Sequence, residues 1–241
     1  MTSFKISGCT VSDGAAIAEN SIPAFWQNPN WRLAWPHRTL TYHISQVAKR
    51  IPRNLLNDRD TKRHQKAIDG ISGRILGYAR WSLPSSHTRD IEGKPVWEEA
   101  VVPVVGEDQE REIKKVAADV VWDPNQESDV LLGELRSIET EIEERGVWMR
   151  LEYLAVHPDF QGKGIGTALV ESGMREAEKL GLGIFIVAMP SGMGVYEHLG
   201  FKIERVLVQD DSMFGGTGDH RTYFMVFEQK TGGVEGGEDG V

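Results

Sequence analysis

Residues 157–173 read HPDFQGKGIGTALVESG, in which Gly162, Gly164 and Gly166 alternate with other residues just where a helix is expected to begin. Glycine costs about 1 kcal/mol relative to alanine inside a helix, so three of them need a reason. A strand, a glycine-rich turn and a helix together can hold an anion, because free backbone N–H groups and the positive end of the helix point at it. The stretch therefore predicts that a phosphate group approaches the main chain here.

The spacing of the glycines excludes two common nucleotide loops. A dinucleotide-binding loop needs Gly-x-Gly-x-x-Gly. If Gly162 is the first glycine of that motif, its third glycine would fall at position 167, which holds Thr167. A Walker A loop needs Gly-Lys followed by Ser or Thr, but Gly162 and Lys163 are followed by Gly164. Another kind of phosphate-bearing ligand has to be considered.

The first third of the chain predicts a strand, two helices and a hairpin. Alternation gives the opening strand, and Ser12 or Asp13 can cap the helix that follows it. A second helix is expected from about Thr39 to Lys49, closed before Pro52 because proline disfavours a helical conformation in the residue before it. Two alternating runs on either side of residues 69–73 then predict the hairpin.

The last third predicts a strand on each side of the glycine motif. Residues 147–156 read as a strand, and the motif helix is expected to run to Lys179 and to end at Gly181. The apolar run GIFIVAM is typical of a buried parallel strand. A short helix around GVYEHLG and two further strands, FKIERVLV and RTYFMVF, complete the pattern.

Composition and charge limit the function classes. The chain has 241 residues and a net charge of −9, which argues against a nucleic-acid partner. Residues 85–146 hold seventeen acidic against seven basic residues, so this segment carries the whole negative excess. It is predicted to be an insertion that is partly helical, with an amphipathic helix carrying Leu131, Leu135, Ile138 and Ile142.

We expect one domain over residues 1–230, followed by a tail over 231–241 that is too polar and glycine-rich to fold. No stretch has the apolar length of a membrane helix and no signal peptide is evident, so a soluble cytoplasmic protein is predicted. The single cysteine, Cys9, and the scattered histidines give no metal-ligand pattern, so no metal site is expected. A monomer and a homodimer both remain open.

The order Gln-x-x-Gly-x-Gly, here Gln161 to Gly166, follows LAVHPDF and precedes VYEHLGF by some thirty residues. These three pieces resemble the acetyl-coenzyme A region of the GNAT acetyltransferase superfamily, and the chain is similar to fungal members of unassigned substrate. The resemblance is strong from about Val147 to Phe227, looser over the first eighty residues and silent on 85–146. It implies an α/β fold of the α+β kind, with a mixed sheet of about seven strands that splays at the acetyl-CoA site, is flanked by helices and carries the acidic insertion before its fourth strand.

The resemblance also implies a set of residues that bind the cosubstrate acetyl-CoA. Backbone groups on the splayed strand would pair with the pantetheine arm and the thioester carbonyl, and the glycine loop would wrap the pyrophosphate. The strand residues are Leu154, Ala155 and Val156, and the loop residues are Gln161, Gly162, Lys163, Gly164, Ile165, Gly166 and Thr167.

Two residues are candidates for catalysis. Tyr196 lies where related enzymes protonate the departing thiolate, and a phenol with a pKa near 10 stays protonated at neutral pH. Glu152 precedes Leu154 by two positions on the same strand face and is a candidate general base, although a structural carboxylate is almost as good an interpretation. Trp26, Trp31 and Trp35 lie in or beside the loop that borders the acceptor pocket in relatives, where they would form an aromatic wall or simply anchor the loop.

The predicted function is N-acetyltransfer from acetyl-CoA to a primary amine of a small molecule or peptide. The acidic insertion suggests a cationic acceptor, because a cleft near a negative field concentrates cations. The alternative is a catalytically silent acyl-CoA-binding or interaction protein with the same fold. The acceptor, the acyl chain length, the general base and the role of the insertion are not set by the sequence.

Overall fold

The computed structural model describes residues 3–229. The expected disordered tail over 231–241 lies outside the described residues and stays a prediction. Seven strands form one open sheet in the order β1-β2-β3-β4-β5-β7-β6. The strands are β1 (Phe4–Gly8), β2 (Lys62–Asp69), β3 (Ile75–Ser82), β4 (Trp148–Val156), β5 (Gly183–Ala188), β6 (Lys202–Asp210) and β7 (Asp219–Phe227).

Seven α-helices accompany the sheet within the described part of the chain. They are α1 (Gly14–Trp26), α2 (Pro29–Arg32), α3 (Leu40–Leu56), α4 (Glu107–Ala118), α5 (Leu132–Glu143), α6 (Ile165–Leu180) and α7 (Pro190–His198). The helices α4 and α5 belong to the acidic segment, which comes before β4 as predicted. The mixed α/β class and the seven-stranded sheet are therefore confirmed.

The sheet is antiparallel apart from one parallel pair, β4 with β5. A crossover is needed to join parallel strands, and α6 is that crossover. Its predicted apolar face is buried, and Gly181 ends it in a left-handed conformation, with a φ of 65°. On the outer edges of this pair, β3 pairs antiparallel with β4 and β7 pairs antiparallel with β5. The glycine motif, which follows β4, therefore lies near the middle of the sheet.

One helix boundary was predicted wrongly. The helix α3 was expected to close before Pro52, but it continues through Pro52 to Leu56. Proline removes one backbone donor and usually costs a helix interior about 3 kcal/mol. Here Pro52 lies against α1, where a side chain on Gly14 would come within 2.7 Å of the proline ring. Packing between α1 and α3 therefore supports a helix that local preference alone would stop.

The two faces of the sheet carry different helices. On one face α6 packs on a core that includes Trp81, Leu151 and Ile186. On the other face, α1 and α3 enclose a cluster with Tyr78 and Tyr153, while α5 covers Phe185 and Phe224 through Ile138 and Ile142. The predicted amphipathic helix of the insertion thus covers the β5–β7 half of the sheet, beside α1 and α3.

Candidate functional site

The parallel strands β4 and β5 separate before they end. Their pairing covers Trp148 to Leu151 on β4 and Gly183 to Ile186 on β5, while β4 continues to Val156. The separation follows an irregularity in register with β3, where Trp81 pairs with Leu151 but Arg80 pairs with Tyr153. Glu152 is the extra residue, and such a bulge increases the local twist of a strand. A wedge-shaped gap therefore opens in the sheet beyond Glu152.

Main-chain groups of Leu154 and Val156 face this gap. The N–H of His157 donates to the carbonyl of Leu76 on β3 at 3.1 Å. Because N–H and C=O of alternate residues point to the same neighbour in an antiparallel pair, Ala155 also faces β3, and Leu154 and Val156 face away from it. Of the three strand residues assigned to the cosubstrate, two thus present their backbone to the gap.

Side chains already occupy two carbonyls of this segment. The carbonyl of Val156 accepts a hydrogen bond from Gln161 Nε2 at 3.2 Å, and that of Ala155 accepts one from Asn20 Nδ2 at 3.2 Å. Asn20 Oδ1 in turn accepts from the N–H of His157 at 3.2 Å. Asn20, buried on α1, was missed by the sequence reasoning. It holds β4 in place where the strand lacks β5.

The glycine loop leads directly from this gap into α6. Gly162 and Gly164 have φ values of 72° and 79°, which explains both glycines by backbone conformation. Gly166 is different, because it lies inside the first turn of α6. A Cβ there would lie in ordinary contact, at 3.7 to 4.0 Å, with side chains of Val156, Val195 and Leu154, so the protein itself has room for a methyl group.

Gly166 therefore borders the cleft between β4 and α7 without filling it. The first four N–H groups of a helix lack intrahelical partners, and those of Ile165, Gly166 and Thr167 belong to that turn. Together with the helix dipole they suit a diphosphate. The space left by Gly166 suits a narrow chain passing between β4 and α7, which is the arrangement that a phosphate-linked pantetheine arm would need.

Two cations lie beside the loop. Lys163 Nζ donates to the carbonyl of Asp159 at 2.9 Å and lies 4.8 Å from the centre of the Phe160 ring. The guanidinium of Arg74 lies 4.9 Å from the same ring centre, and its Nη2 is 3.4 Å from His157 Nε2. Arg74 was missed, although the predicted hairpin places it near the edge where β4 ends. Both cations add positive charge beside the loop, which would favour a negatively charged ligand there.

Tyr196 lies on α7 and is buried in the main core, with only 7% of its surface exposed. Its ring packs edge-on against Phe201 at 5.7 Å between centroids and closely over Gly192. Burial raises the pKa of Tyr196 well above its ordinary value, so the phenol stays protonated at neutral pH. Val195, which precedes Tyr196 in the sequence, lies beside the cleft at Gly166. Tyr196 is therefore next in the chain to a residue of that cleft.

Glu152 is engaged by two cations. Its Oε1 forms an ion pair with Lys62 on β2, and its Oε2 accepts from Arg80 Nε at 2.9 Å. The carboxylate is one-fifth exposed, with a side-chain exposure of 21%. Both carboxylate oxygens are therefore engaged by cations of β2 and β3 and are not free to face an incoming amine. This geometry favours the structural interpretation of Glu152.

The segment between α1 and α3 crosses the open end of the gap. Asn28 Nδ2 contacts Met189 Sδ at 3.0 Å beyond β5, and Asn30 Nδ2 donates to Asp211 Oδ2 at 2.9 Å beyond β6. Trp31 and Trp35 pack around His43 with ring centres 5.5 and 4.5 Å away. Trp26 lies 5.7 Å from the same ring. The three tryptophans anchor this segment to α3.

A cavity of ≈ 170 Å³ lies on this face of the sheet, between α1, α3, β3 and β4. Tyr78 and Tyr153 line its sheet side, and Trp122 from the acidic segment lines it together with Arg50 of α3. Tyr153 immediately precedes Leu154, so the cavity reaches the level of the strand gap. His43 lines it too, but the three tryptophans of the crossing segment do not.

The acidic residues of α5 are largely compensated by neighbouring arginines. Glu141 pairs with Arg145 and Arg205, and Glu143 pairs with Arg150. The part of the acidic segment that lines the cavity is an indole, Trp122, rather than a carboxylate. The negative excess of the insertion therefore gives no support to a cationic acceptor in this cavity.

Two features can be stated for the described residues alone. Within residues 3–229, no cluster of three or more His, Cys, Asp or Glu side chains is arranged to hold a metal ion. In the same range, no helix has the length and apolarity to cross a membrane.

An open sheet whose central parallel pair separates beside a glycine-led helix is what the resemblance to GNAT acetyltransferases led us to expect. Residues 106–203 match the family model described as Acetyltransferase (GNAT) domain. The matched range covers the acidic segment from Gly106 onward, β4, the glycine loop, α6, β5 and α7. The GNAT fold expected from the sequence is confirmed, whereas the likeness to fungal members stays a prediction.

Solved structures give the same fold over nearly the whole chain. A Corynebacterium glutamicum protein, described as histone acetyltransferase HPA2 and related acetyltransferase, aligns with a TM-score of 0.57 at 16% identity, covering 96% of this chain and 99% of that one. The C-terminal condensation domain of Ebony, in complex with beta-alanyl-dopamine, aligns with a TM-score of 0.57 at 13% identity, covering 95% and 100%. Drosophila melanogaster polyamine N acetyltransferase aligns with a TM-score of 0.50 at 13% identity, covering 94% and 100%.

Proposed function

We propose that this protein is an N-acetyltransferase that moves the acetyl group of acetyl-CoA directly to a primary amine. The observation that carries the proposal is the separation of β4 from β5 beside the α6 N-terminus. Gly166 keeps the cleft there free even of a Cβ that the protein could accommodate. The amine N-acetyltransferase among the aligned structures agrees with this assignment at the level of fold.

The donor is assigned to the gap and the glycine loop. The N–H groups from Gln161 to Thr167 hold the pyrophosphate, and Lys163 and Arg74 contribute positive charge at its edge. The pantetheine arm runs past Gly166 between β4 and α7. Leu154 and Val156 offer it the strand pairing that β5 leaves unused, with Ala155 holding the strand to β3.

The reaction is a direct attack of the neutral amine on the thioester carbonyl. A backbone N–H of the opened strand at Leu154 stabilises the developing oxyanion, as pre-aligned donors do in acyl transfer. The carbon–sulfur bond breaks as the amide forms, and Tyr196 gives its proton to the departing thiolate. A small movement of α7 is required, because the phenol is packed against Phe201.

The amine loses its proton to water rather than to Glu152 in this scheme. The ion pairs of Glu152 with Lys62 and Arg80 support a positioning role, in which the carboxylate fixes Arg80 and the bulge. The alternative function is a catalytically silent acyl-CoA-binding protein with the same fold. The presence of Tyr196 on α7 favours catalysis over it.

Release of free thiol from acetyl-CoA tests the proposal. We expect a panel of primary amines to produce amine-dependent thiol release with at least one acceptor. Coenzyme A alone should raise the melting temperature, since a ligand at a hundred times its Kd stabilises the folded state by about 2.7 kcal/mol. A thermal shift without thiol release from any amine would favour the silent binding protein, and the absence of both would remove the donor site.

A further inference from the structure

The cavity on the α1–α3 face has an unusual balance of charge. Its twelve lining residues include two guanidinium groups, Arg50 and Arg80, and no carboxylate. The rest of the lining is mostly aliphatic or aromatic. Glu152 forms an ion pair with Arg80, but nothing comparable is seen for Arg50 in the described chain. A positive charge therefore faces the cavity without a compensating negative group.

Arg50 stacks on Trp122, and one of its donors lacks a hydrogen-bond partner. Its guanidinium carbon lies 3.5 Å from the centre of the Trp122 ring, so the planar group stacks on the indole. Its Nη1 is buried and has no hydrogen-bond partner among residues 3–229. A buried guanidinium donor left unpaired costs free energy, and native structures rarely leave one without a reason.

Other guanidinium groups lie near Arg50. Burial and the neighbouring guanidiniums of Arg38 and Arg50 lower the pKa of His43 to about 4, so His43 is neutral near pH 7. Burial, with Arg53 and Arg38 nearby, also lowers the pKa of Arg50. Arg38 is paired with Asp123, which leaves Arg50 as the group positioned to receive an anion at the cavity.

The size of the cavity restricts what can accompany the anion. Its volume of ≈ 170 Å³ is slightly larger than an apolar cavity of about 150 Å³ that is known to hold benzene. The walls from Ile17, Val47 and Leu55 suit an aliphatic or phenyl group. The occupant is therefore an apolar body of about that size with one negative group.

We propose that this cavity binds an apolar carboxylate, with the carboxylate on Arg50 beside Trp122 and the apolar body between α3 and the tyrosines of β3 and β4. The inference deepens the proposed transferase function, on which its catalytic consequence rests. Tyr153, which lines the cavity, immediately precedes the strand residue that faces the donor gap. The acceptor class is accordingly an apolar amine that also carries a carboxylate, such as an aromatic amino acid, rather than a polyamine.

The binding site can be tested without acetyl-CoA. We expect 3-phenylpropanoate to change the tryptophan fluorescence, because Trp122 lines the cavity. The amide 3-phenylpropanamide and the amine 3-phenylpropylamine should bind at least tenfold more weakly, as neither offers the guanidinium an anion. Equal binding of the three compounds, or none by 3-phenylpropanoate, would overturn the inference. This comparison uses the unmodified protein and does not depend on how any variant folds.

A variant assigns the binding to Arg50. Arg50→Met keeps an unbranched side chain on Trp122 but removes the charge, and we expect it to weaken 3-phenylpropanoate binding at least tenfold. Arg111→Met is the matched control, because it removes the same charge from an exposed position on α4. A variant that binds the carboxylate as well as the unmodified protein does would overturn the role of Arg50.

Acetyl transfer separates this inference from the proposed function. Phenylalanine should be a better acceptor than phenylalaninamide, and Arg50→Met should raise the KM for phenylalanine at least tenfold while leaving that for phenethylamine unchanged. Thiol release with phenethylamine alone, unaffected by the variant, would support the transferase and overturn the carboxylate site. Binding of 3-phenylpropanoate that depends on Arg50, without thiol release from any amine, would support the site and contradict the transferase.

Discussion

The glycine loop and the cavity on the α1–α3 face are built from different materials. The loop is a single stretch, from Gln161 to Thr167, that in the proposed reaction acts through main-chain groups and through the side chain that Gly166 lacks. The cavity draws side chains from two helices, two strands and the acidic segment. A main-chain site can be retained in many relatives with different acceptors, whereas a side-chain cavity can change with each of its contributing elements. The two regions thus divide the proposed reaction into a general donor half and a particular acceptor half.

The largest expected effect tests the donor half. Gly166→Val should weaken coenzyme A binding by at least about 100-fold, because its side chain would enter the cleft between β4 and α7. The Cβ itself would lie 3.7 Å or more from its neighbours, and the melting temperature without ligand reports whether the two γ methyls are accommodated as well. The Kd for coenzyme A, from calorimetry or thermal shift, measures this.

Gly133→Val is the control for the loss of a helical glycine. Gly133 lies on α5, and a Cβ there meets nothing within 4 Å. This variant should bind coenzyme A normally. Retention of the coenzyme A affinity by Gly166→Val would move the donor away from the cleft and remove the contrast between the two regions.

The next effect concerns the proton donor proposed on α7, Tyr196. Tyr196→Phe should lower kcat by roughly 10- to 1000-fold and leave the coenzyme A affinity nearly unchanged, as expected for an acid that acts in the transition state. Tyr42→Phe is a suitable control, since Tyr42 is 42% exposed on α3. A kcat within a factor of two of the unmodified protein would place the acid elsewhere and leave Tyr196 as a core residue.

The difference between the regions also explains what the sequence could predict. The strand, the glycine loop and α6 are contiguous, so local periodicity and the positive φ of Gly162 and Gly164 suffice to define them. The seven strands and the mixed sheet followed from the same local patterns together with the resemblance. The helices α2 and α4 were not predicted, and Pro52 misled because its effect depends on packing against α1 rather than on its own preference.

The cavity could not be predicted in the same way. Arg50 and Trp122 are 72 positions apart in the sequence and meet only because the acidic segment folds back onto α3. The charge count over 85–146 treated that segment as one negative surface. In the structure, carboxylates of α5 form ion pairs with arginines, and the residue of the segment that lines the cavity is Trp122. Arg74 and Asn20 were missed for a related reason, since their roles depend on β3 and α1 lying beside β4.

A smaller effect tests whether burial and the nearby guanidinium groups lower the pKa of His43. Its folded-state pKa of about 4 lies below the value of about 6.5 expected in the unfolded chain. The unfolded state therefore binds more protons below pH 6.5, so this contribution to stability is complete above that pH and is lost as the pH falls toward 4. In His43→Gln, the decline in the free energy of unfolding from pH 7 to 4 should be shallower by about 1–3 kcal/mol. If the free energy of unfolding by urea falls with pH equally in the two proteins, the pKa of His43 is not lowered in the folded state.

The smallest effect concerns Glu152, which joins the two regions. It occupies the bulge that opens β4, and it also holds Arg80 at the cavity. Glu152→Gln leaves Lys62 and Arg80 without their shared partner. The expected loss is about 1–2 kcal/mol for this one-fifth exposed group, or a fall of about 2–8 °C in melting temperature.

The pH dependence of kcat in Glu152→Gln separates a positioning role from general base catalysis. As a positioning residue, Glu152 should leave the acidic limb of the profile where it is and change kcat by less than about fivefold, because the amine proton goes to water. Glu141→Gln provides the matched control, since it removes an exposed carboxylate paired with Arg145 and Arg205 and should cost less than about 1 kcal/mol. A displaced acidic limb in Glu152→Gln alone would restore the base and tie the donor half to the acceptor half through one carboxylate.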